Sequence, residues 1–216
     1  MAKPTDTREK LLQVAFDLIW NQSYGSVSVD QICERARVNK GSFYHFFESK
    51  SELAVEAYEE NWREKQPDLD RVFSPQNPPL ERLLLWGRYV RDRQRQKAEK
   101  YGHVCGCPYA GLGMELATQD EKIRAKSQEI MDRTIRYLES ALRDAAREGA
   151  IIAENTGGAA KRIYTAVLGL LLYAKVHDDL GALDELESVI RTMAGAQGGG
   201  GVNRVRNRQR PVERVV

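Results

Sequence analysis

The chain of 216 residues is long enough for one large domain or two small ones. Its 42% hydrophobic and 30% charged residues are typical of soluble globular proteins, and three cysteines are too few for a secreted disulfide framework. The net charge of +2 is close to neutral and indicates no particular class of partner.

Membrane and export segments are not expected. The longest apolar run, Ala166 to Ala174 with Gly169 counted, spans nine residues, whereas a membrane helix needs roughly 20. The first residues, Met1 to Asp6, lack the apolar segment of a signal peptide. We therefore expect a cytoplasmic protein that does not span a membrane.

Two amphipathic helices are predicted at the N-terminus. The first begins after Asp6, with Glu9 as a capping-box partner. Its buried face, at helical spacing, carries Leu12, Ala15, Phe16 and Ile19. The second begins at Ser28, whose hydroxyl caps the helix, with Gln31 at the reciprocal position. Its buried face carries Val29, Ile32, Cys33 and Ala36.

A very short third helix is predicted from Lys40 to Phe47, after a turn at Arg37–Val38 and with Asn39 as its cap. At about 100° per residue, one arc of this helix holds Phe43, Phe46 and Phe47. The other arc holds Gly41, Ser42, Tyr44 and His45. Because so short a helix is unstable alone, we expect the phenylalanines to anchor it while the polar arc faces outward.

The rest of the chain is also predicted to be helical. A capping box at Ser49 and Glu52 starts a fourth helix that reaches roughly Lys65. A loop between the two halves is indicated by Pro67, Pro75, Pro78 and Pro79. Further helices are expected near residues 79–100, 108–118, 121–148, 157–178 and 183–194. No alternating strand pattern competes, so the sequence predicts an all-α protein.

Three short helices, the last two joined by a four-residue turn, are typical of a helix-turn-helix unit. The stretch from Ser28 to Leu53 closely resembles the DNA-binding domain of the TetR/AcrR family of transcriptional regulators, and the similarity extends over residues 7–60. The matching positions are Val38, Lys40, Gly41, Phe43, Tyr44, Phe47, Ser49, Lys50, Glu52 and Leu53. The C-terminal half is similar in helical layout and in the segments Gly106-Cys107-Pro108 and Glu115-Leu116-Ala117.

The resemblance implies a homodimer that binds double-stranded operator DNA and responds to a small-molecule effector, and we expect a repressor rather than an activator. The expected parts are a helix-turn-helix domain at 1–50, a helical effector-binding and dimerisation domain at 51–194, and a disordered Gly/Arg-rich tail at 195–216. A weak contact of the tail with phosphates is an alternative. No cofactor, metal or catalytic motif is expected.

The candidate DNA contacts lie on and beside the third helix. We expect Lys40 and Ser42 to contact base edges, while Gly41 allows the backbone to approach closely. Tyr44 and Lys50 suit phosphate oxygens. Taken singly, Lys40 and Lys50 would be ordinary surface residues, and the whole pattern argues for the functional interpretation.

Three more residues complete the candidate DNA-binding set. Ser28 offers its backbone amide at a helix N-terminus, and His45 lies beside Tyr44 on the polar arc. Arg37 stands where the family usually has glycine, so it either adopts a positive φ at a cost on the order of 1 kcal/mol or contacts a phosphate. Phe46 also departs from the family, which often has His or Tyr at that position.

Two further sets of residues are assigned to the C-terminal half. Candidates for the effector pocket that the resemblance implies are Trp86, Tyr89, Met114, Tyr137 and Tyr173. Candidates for a four-helix dimer interface are Ile163, Val167, Leu170, Leu171, Ala174, Leu186 and Ile190. For both sets the alternative is burial in the core of a single chain.

Two other interpretations stay open. His103, Cys105 and Cys107 could offer ligands to a soft metal or sense oxidants, although the same segment also fits a tight turn before a helix that Pro108 starts. Cys33 lies on a core stripe, where burial is expected. The alternative function is a helical ligand-binding or protein-binding module whose helix-turn-helix no longer binds DNA.

Overall fold

A computed structural model of the chain describes residues 4–152 and 155–195. Over these residues the chain forms nine α-helices and one 3-10 helix, and no strand. The α-helices are α1 (Pro4–Asn21), α2 (Val29–Ala36), α3 (Lys40–Phe46), α4 (Lys50–Val72), α5 (Pro79–Tyr101), α6 (Pro108–Leu116), α7 (Glu121–Arg147), α8 (Thr156–His177) and α9 (Leu186–Met193). The 3-10 helix, Leu180–Glu185, connects α8 to α9. The all-α prediction is confirmed, and most of the predicted tail lies outside the described residues.

The ends of α2 and α3 are fixed by the predicted caps. The Ser28 hydroxyl oxygen accepts the Gln31 amide at 3.1 Å, and the Gln31 side-chain oxygen accepts the Ser28 amide at 2.7 Å. The Asn39 side-chain oxygen accepts the Ser42 amide at 2.7 Å. Because each cap satisfies a backbone N–H that the helix leaves unpaired, the two short helices begin at defined residues.

Helix α4 is longer than the sequence predicts. It continues through Pro67 and ends at Val72 rather than near Lys65. Proline inside a helix removes a backbone hydrogen bond, but Leu69 is buried on the same helical face as the buried Trp62. Packing of this face therefore extends the helix beyond the proline, and the predicted loop is confined to residues 73–78.

The loop between α4 and α5 is held by a buried arginine. The Arg82 guanidinium donates to the carbonyl oxygens of Asn77 at 2.8 Å and Pro75 at 3.2 Å, and to the Asp144 carboxylate at 2.7 Å. A buried charge is tolerated when its donors are matched by acceptors. Arg82 thus attaches the loop to α7.

One continuous core runs through the molecule, because α4 packs against α1 on one side and against α5 and α7 on the other. Helix α8 lies against α7 and α9, and α9 also lies against α5. Gly87 permits the last of these contacts, since a Cβ atom there would come within 2.7 Å of the Ile190 Cδ1 atom. None of the helices in the described part of the chain has the length and hydropathy of a membrane span.

Six of the seven residues predicted for a dimer interface are buried within the single chain. Ile163, Val167, Leu171, Ala174, Leu186 and Ile190 are each at most 5% exposed in the single chain. Only Leu170 is half-buried. The reason is that α8 has helices on more than one side, so its widest apolar face serves the core of its own chain. The opposite face of α8 carries the exposed apolar residues Leu172, Tyr173 and Val176.

Candidate nucleic-acid interface and ligand cavity

Helix α3 is anchored by aromatic rings and presents its polar arc. Phe43 is completely buried and Phe47 is nearly so. The Tyr44 side chain is 56% exposed, and its ring meets the edge of the Phe43 ring with centroids 5.0 Å apart. The predicted polar residues are all at least partly accessible: Lys40, Gly41, Tyr44 and His45 are exposed, and Ser42 is half-buried. The arc is therefore free to meet another molecule.

Lys40 is paired with an acid on the preceding helix. Its ammonium lies 2.7 Å from the Asp30 carboxylate, and both side chains are exposed. The hydrogen bond from Lys40 to Asp30 raises the pKa of the lysine above its usual value. Lys40 is therefore a cation at the start of α3, and Asp30 holds it across the turn.

Arg37 adopts a positive φ, which is one of the two alternatives that the sequence leaves open. Its backbone angles are φ 55° and ψ 45°, in the left-handed region. The Val38 amide donates to the Cys33 carbonyl at 2.9 Å and the Arg37 amide to the Glu34 carbonyl at 3.1 Å. These two bonds form a Schellman motif, which needs a left-handed residue at this position. The exposed Arg37 side chain remains a candidate for phosphate contact.

Lys50 is less available than the sequence suggests. Its ammonium donates to the carbonyl oxygens of Tyr24 at 2.9 Å and Val27 at 2.8 Å, and it lies 3.9 Å from the centre of the Tyr24 ring. Partial burial lowers the pKa of the Lys50 ammonium. An ammonium has three donors, so one is left for a phosphate while two fix the loop between α1 and α2.

The same loop is attached to the C-terminal half. The Glu115 carboxylate, near the end of α6, accepts the backbone amides of Tyr24 at 2.9 Å and Gly25 at 2.6 Å. The Trp20 indole donates to the Gly106 carbonyl at 2.9 Å, and the buried Gln94 side chain pairs with the amide and carbonyl of Gly106 at 3.0 Å each. A displacement of α6 would therefore also displace the loop that precedes α2.

Helix α4 is also attached to α7 along its length. The Ser51 hydroxyl bonds the Asp120 side chain, which caps α7. The Glu59 carboxylate pairs with Lys126 at 2.9 Å and Arg133 at 3.0 Å, and these contacts lower the pKa of Glu59. Because α4 follows α3 after only a short link, the orientation of α4 on α7 sets the orientation of the polar arc.

A half-open cavity of about 100 Å³ lies between these attachments. Residues from α1, α4, α5, α7 and α8 line it, together with the start of α6. All three tryptophans of the chain, Trp20, Trp62 and Trp86, are among the lining residues. The lining also includes Gln94, whose side chain bonds the backbone of Gly106, and Cys107, which follows Gly106 in the chain. A molecule in the cavity would therefore contact both α4 and the segment before α6.

The five predicted pocket residues are not brought together. Trp86 and Tyr89 line the cavity. Tyr137 packs against Phe73 with ring centroids 5.1 Å apart, and its hydroxyl bonds Asp70, so it joins α4 to α7 outside the cavity. The other two lie at the surface, Met114 at 74% exposure and Tyr173 at 51%. The reason is that helical spacing does not say which neighbour an aromatic residue will meet.

Sequence reasoning missed the polar residues of the cavity. Lys65, Arg93, Tyr109 and Tyr164 come from four different segments and line the cavity beside Tyr89. Each resembles an ordinary surface or core residue in the sequence, and no local pattern singles them out. Lys65 was, moreover, expected at a helix end, where a lysine needs no further explanation.

A second, open groove of about 970 Å³ lies at the surface between α6, α7 and α8. Its lining is mostly apolar and includes the exposed side chains of Met114, Leu172 and Val176. Glycines at 111, 113 and 169 also line the groove, and they place no side chain in it. The groove continues onto the exposed apolar face of α8.

The cysteine segment is built into the fold. His103 lies with its Nε2 atom 3.3 Å from the Asn21 carbonyl oxygen, and Cys105 is buried. Burial raises the pKa of both the Cys105 and the Cys107 thiol. Among residues 4–152 and 155–195, no group of three or more His, Cys, Asp or Glu side chains is arranged to hold a metal ion. Cys33 is buried, as predicted.

Comparison with known proteins identifies both halves of the chain. Residues 11–57 match the family described as "Bacterial regulatory proteins, tetR family", and residues 80–190 match "Tetracyclin repressor-like, C-terminal domain". The second match alone covers about half of the chain. The first match contains α2 and α3 in full, and the second contains most of the cavity lining.

Individual relatives are similar over most of their length. The transcriptional repressor NemR of Escherichia coli K12 is 25% identical over 195 residues, which are 88% of this chain and 96% of NemR. The transcriptional regulator AcuR of Cereibacter sphaeroides is 28% identical over 78% of this chain and 76% of AcuR. A crystal structure of a regulatory protein TetR from Rhodobacter sphaeroides superposes with a TM-score of 0.75 at 26% identity, over 86% of this chain and 96% of that one.

Proposed function

The chain belongs to the tetR family of bacterial regulatory proteins, and we propose that it is a repressor that binds a palindromic operator as a homodimer and releases it when a small molecule enters the C-terminal half. The proposal divides the chain at residue 50, with DNA contact before this point and dimerisation and effector binding after it. The resemblance to a named repressor supports repression rather than activation.

The observation that carries the proposal is the presentation of α3. Its seven residues are held by a capped N-terminus and by buried aromatic rings, and the other side of the helix is accessible. An α-helix presented in this way fits the major groove of B-DNA. Lys40 and Ser42 would contact bases, Tyr44 and His45 would lie over the backbone, and Gly41 would allow close approach.

The residues that flank α3 support the same orientation. Ser28 and Arg37 are exposed at opposite ends of α2. The Arg37 side chain suits phosphate oxygens. The Ser28 amide is already paired with the Gln31 side chain at 2.7 Å, so Ser28 would offer its hydroxyl proton to a phosphate instead of the predicted amide. Lys50 acts mainly by fixing the loop before α2, and its third donor is directed to a phosphate in the complex.

The dimer that this function requires is proposed to form through the exposed face of α8. Leu172, Tyr173 and Val176 are 48%, 51% and 71% exposed, and they share a face with Ala166 and Gly169. Small residues beside large apolar ones let two helices approach closely. A two-fold pairing of this face would bury these side chains and give the dimer two equivalent α3 helices.

The release of DNA is proposed to follow from filling the cavity. A ligand there contacts α4 through Trp62 and the segment before α6 through Cys107. Its effect would reach α3 by two routes, the continuous helix α4 and the bonds of Glu115 to the loop before α2. A ligand that prefers the conformation with displaced α3 helices weakens DNA binding by its differential affinity for the two states.

The experiment that tests this function is the selection of DNA from a random-sequence pool by the purified protein. The expected result is an enriched inverted repeat whose two halves are separated by about one helical turn or a multiple of it. Binding to the selected DNA should weaken steeply as salt rises, because contacts to phosphates release counterions. Recovery of no enriched sequence, together with salt-independent retention of DNA, would contradict the proposal.

A further inference from the structure

The cavity combines positive charge with an absence of acids. Two of its lining residues, the half-buried Lys65 and Arg93, are basic, and no aspartate or glutamate belongs to the lining in the described part of the chain. A positive charge that is partly removed from water and has no carboxylate beside it is unfavourable. The lining therefore has a shortage of negative charge.

Lys65 shows this shortage most clearly. Its ammonium lies 4.7 Å from the centre of the Tyr109 ring and 5.6 Å from that of Trp20. Within the described residues, its hydrogen-bond partner is the neutral Tyr109 hydroxyl at 3.2 Å. That hydroxyl in turn donates to the Asn61 side chain at 2.9 Å. The ammonium is thus held by aromatic faces and one weak acceptor, and its remaining donors are free for a ligand.

A second unused donor lies in the same lining. The Tyr89 hydroxyl is buried, and among the described residues it has no hydrogen-bond partner. Leaving a buried hydroxyl unpaired is destabilising, so such groups are rare unless a ligand or water completes them. Tyr89 and Arg93 are one helical turn apart on α5, so their side chains emerge on the same side of the helix.

Apart from a few polar side chains such as Gln94 and Thr134, the remaining lining is apolar, and the space is small. Leu69, Trp86, Val167, Leu168 and Leu171 form its apolar part. A volume of about 100 Å³ is well below the roughly 300–1,000 Å³ of pockets for drug-sized ligands. The occupant is therefore short, with an apolar end and a charged end.

Building on the effector site proposed above, we infer that this cavity binds a short-chain carboxylate, whose oxygens accept hydrogen bonds from Lys65, Arg93 and Tyr89 while its hydrocarbon end packs against Trp86 and the leucines of α8. Arg93 also borders a neighbouring polar cleft that contains Glu60 and Glu64. The lining of the cavity itself contains no acid among the described residues.

The protonation of Lys65 gives the inference a pH signature. Burial, with Arg93 and Lys97 of α5 nearby, lowers the pKa of Lys65 to about 7, against smaller opposing effects of Cys107 and Glu64. A bound carboxylate stabilises the ammonium form, so binding takes up a proton wherever the free lysine is neutral. Carboxylate affinity should therefore be nearly constant below about pH 6.5 and fall by up to about tenfold per pH unit above 7.5.

The test uses the full chain without DNA and follows the fluorescence of its three tryptophans, all of which line the cavity. Acetate, propionate and butyrate are titrated against acetamide, propionamide and butyramide, which match them in shape without the charge. We expect each carboxylate to bind at least about tenfold more tightly than its amide at pH 6.5. Equal binding of carboxylates and amides, or no binding by any carboxylate, would overturn the inference.

Three variants test whether the preference for carboxylates over amides arises in the cavity. Lys65→Met should reduce carboxylate affinity by about 10- to 100-fold and abolish its pH dependence, while Tyr89→Phe should reduce affinity by a smaller factor. Lys100→Met is the matched control, because Lys100 is a cation on α5 that pairs with Asp17 at 2.6 Å and does not line the cavity. Loss of the preference in Lys100→Met but not in Lys65→Met would place the anion elsewhere and refute the inference.

Failure of this inference and failure of the proposed function are distinguishable. Ligand binding is measured without DNA, and selection of an inverted repeat is measured without ligand. If an operator is found but the carboxylates do not bind, the inference is wrong and the regulatory function stands. If the carboxylates bind at Lys65 but operator affinity is unchanged at saturation, the site is right and its role as the effector site is wrong.

Discussion

Three residues around the turn between α2 and α3 are each held in place by a different kind of contact. Arg37 is fixed by its backbone, in a left-handed conformation that closes α2. Lys40 is fixed by its side chain, through Asp30. Lys50 is fixed by two carbonyl oxygens of the loop before α2. Substitutions at these three positions should therefore have separable effects on stability and on DNA binding.

Arg37→Gly should stabilise the protein. A left-handed conformation costs an L-residue about 1–2 kcal/mol relative to glycine, partly offset by the greater freedom of glycine in the unfolded chain. We expect the free energy of unfolding of Arg37→Gly to exceed that of Arg37→Ala by about 1 kcal/mol in urea denaturation. Both variants lose the same charge, so a phosphate contact by Arg37 would weaken DNA binding equally in both. An alanine variant as stable as the glycine variant would show that the backbone is unstrained.

Lys40→Ala should weaken binding to the selected operator by about 1–3 kcal/mol and relax the preference at one base position. The reason is the loss of a charged donor at the start of α3. Asp30→Asn is the matched control: it releases Lys40 from its ion pair while keeping the lysine, so operator binding should be equal or tighter. Gel-shift titrations against single-base variants of the operator measure both effects, and unchanged affinity in Lys40→Ala would refute the assigned face.

At the scale of secondary-structure elements, the predictable features were those that depend on neighbouring residues. The caps at Ser28 and Asn39 and the anchoring of α3 by Phe43 follow from local spacing, and the structure has them. The length of α4 beyond Pro67 depends on tertiary packing, which local proline chemistry does not reveal. The cavity escaped prediction for the same reason, since Lys65 and the other polar residues of its lining come from separate segments.

Helix α8 shows how an apolar pattern can mislead. Its most regular apolar face is used inside the chain, and its less regular face, with Gly169 between larger residues, is the one left exposed. From one sequence, both faces are equally plausible as an interface. Only the positions of α7 and α9 distinguish them.

Leu172→Arg should convert the dimer to a folded monomer. Leu172 is 48% exposed in the single chain, so arginine fits the monomer surface but places an unpaired charge in the proposed interface. Sedimentation velocity measures the mass, and circular dichroism verifies the helical content. Gln96→Arg, on the exposed side of α5, is the control and should remain dimeric. If Leu172→Arg stays a dimer with unchanged stability, the interface lies on another face.

At the scale of the whole molecule, two sets of contacts connect the cavity with α3. One is the continuous helix α4, whose attachment to α7 includes the ion pairs of Glu59. The other is Glu115, whose carboxylate holds two amides of the loop before α2. Coupling between effector and operator is reciprocal, so each must weaken the binding of the other by the same factor.

Glu115→Ala should reduce this coupling while leaving both sites intact. Glu115 lies neither in the cavity that is proposed to bind the effector nor on α3, so the separate affinities for effector and operator should change little. We expect the effector-induced loss of operator affinity, typically about 5- to 150-fold, to shrink several-fold in the variant. Glu121→Ala, which removes an exposed carboxylate at the start of α7, is the control. If the coupling is unchanged in Glu115→Ala, the effect of the ligand reaches α3 through α4 alone.

The central claim is that two copies of the chain bind one operator through paired α3 helices. Its most direct measurement is the stoichiometry and affinity of the purified protein on the selected inverted repeat and on a single half-site, by sedimentation and titration at fixed salt. We predict at least two chains on the full site, added as pre-formed dimers, and at least about 100-fold weaker binding to the half-site. One chain per DNA, with equal affinity for the half-site and the full site, would contradict the claim.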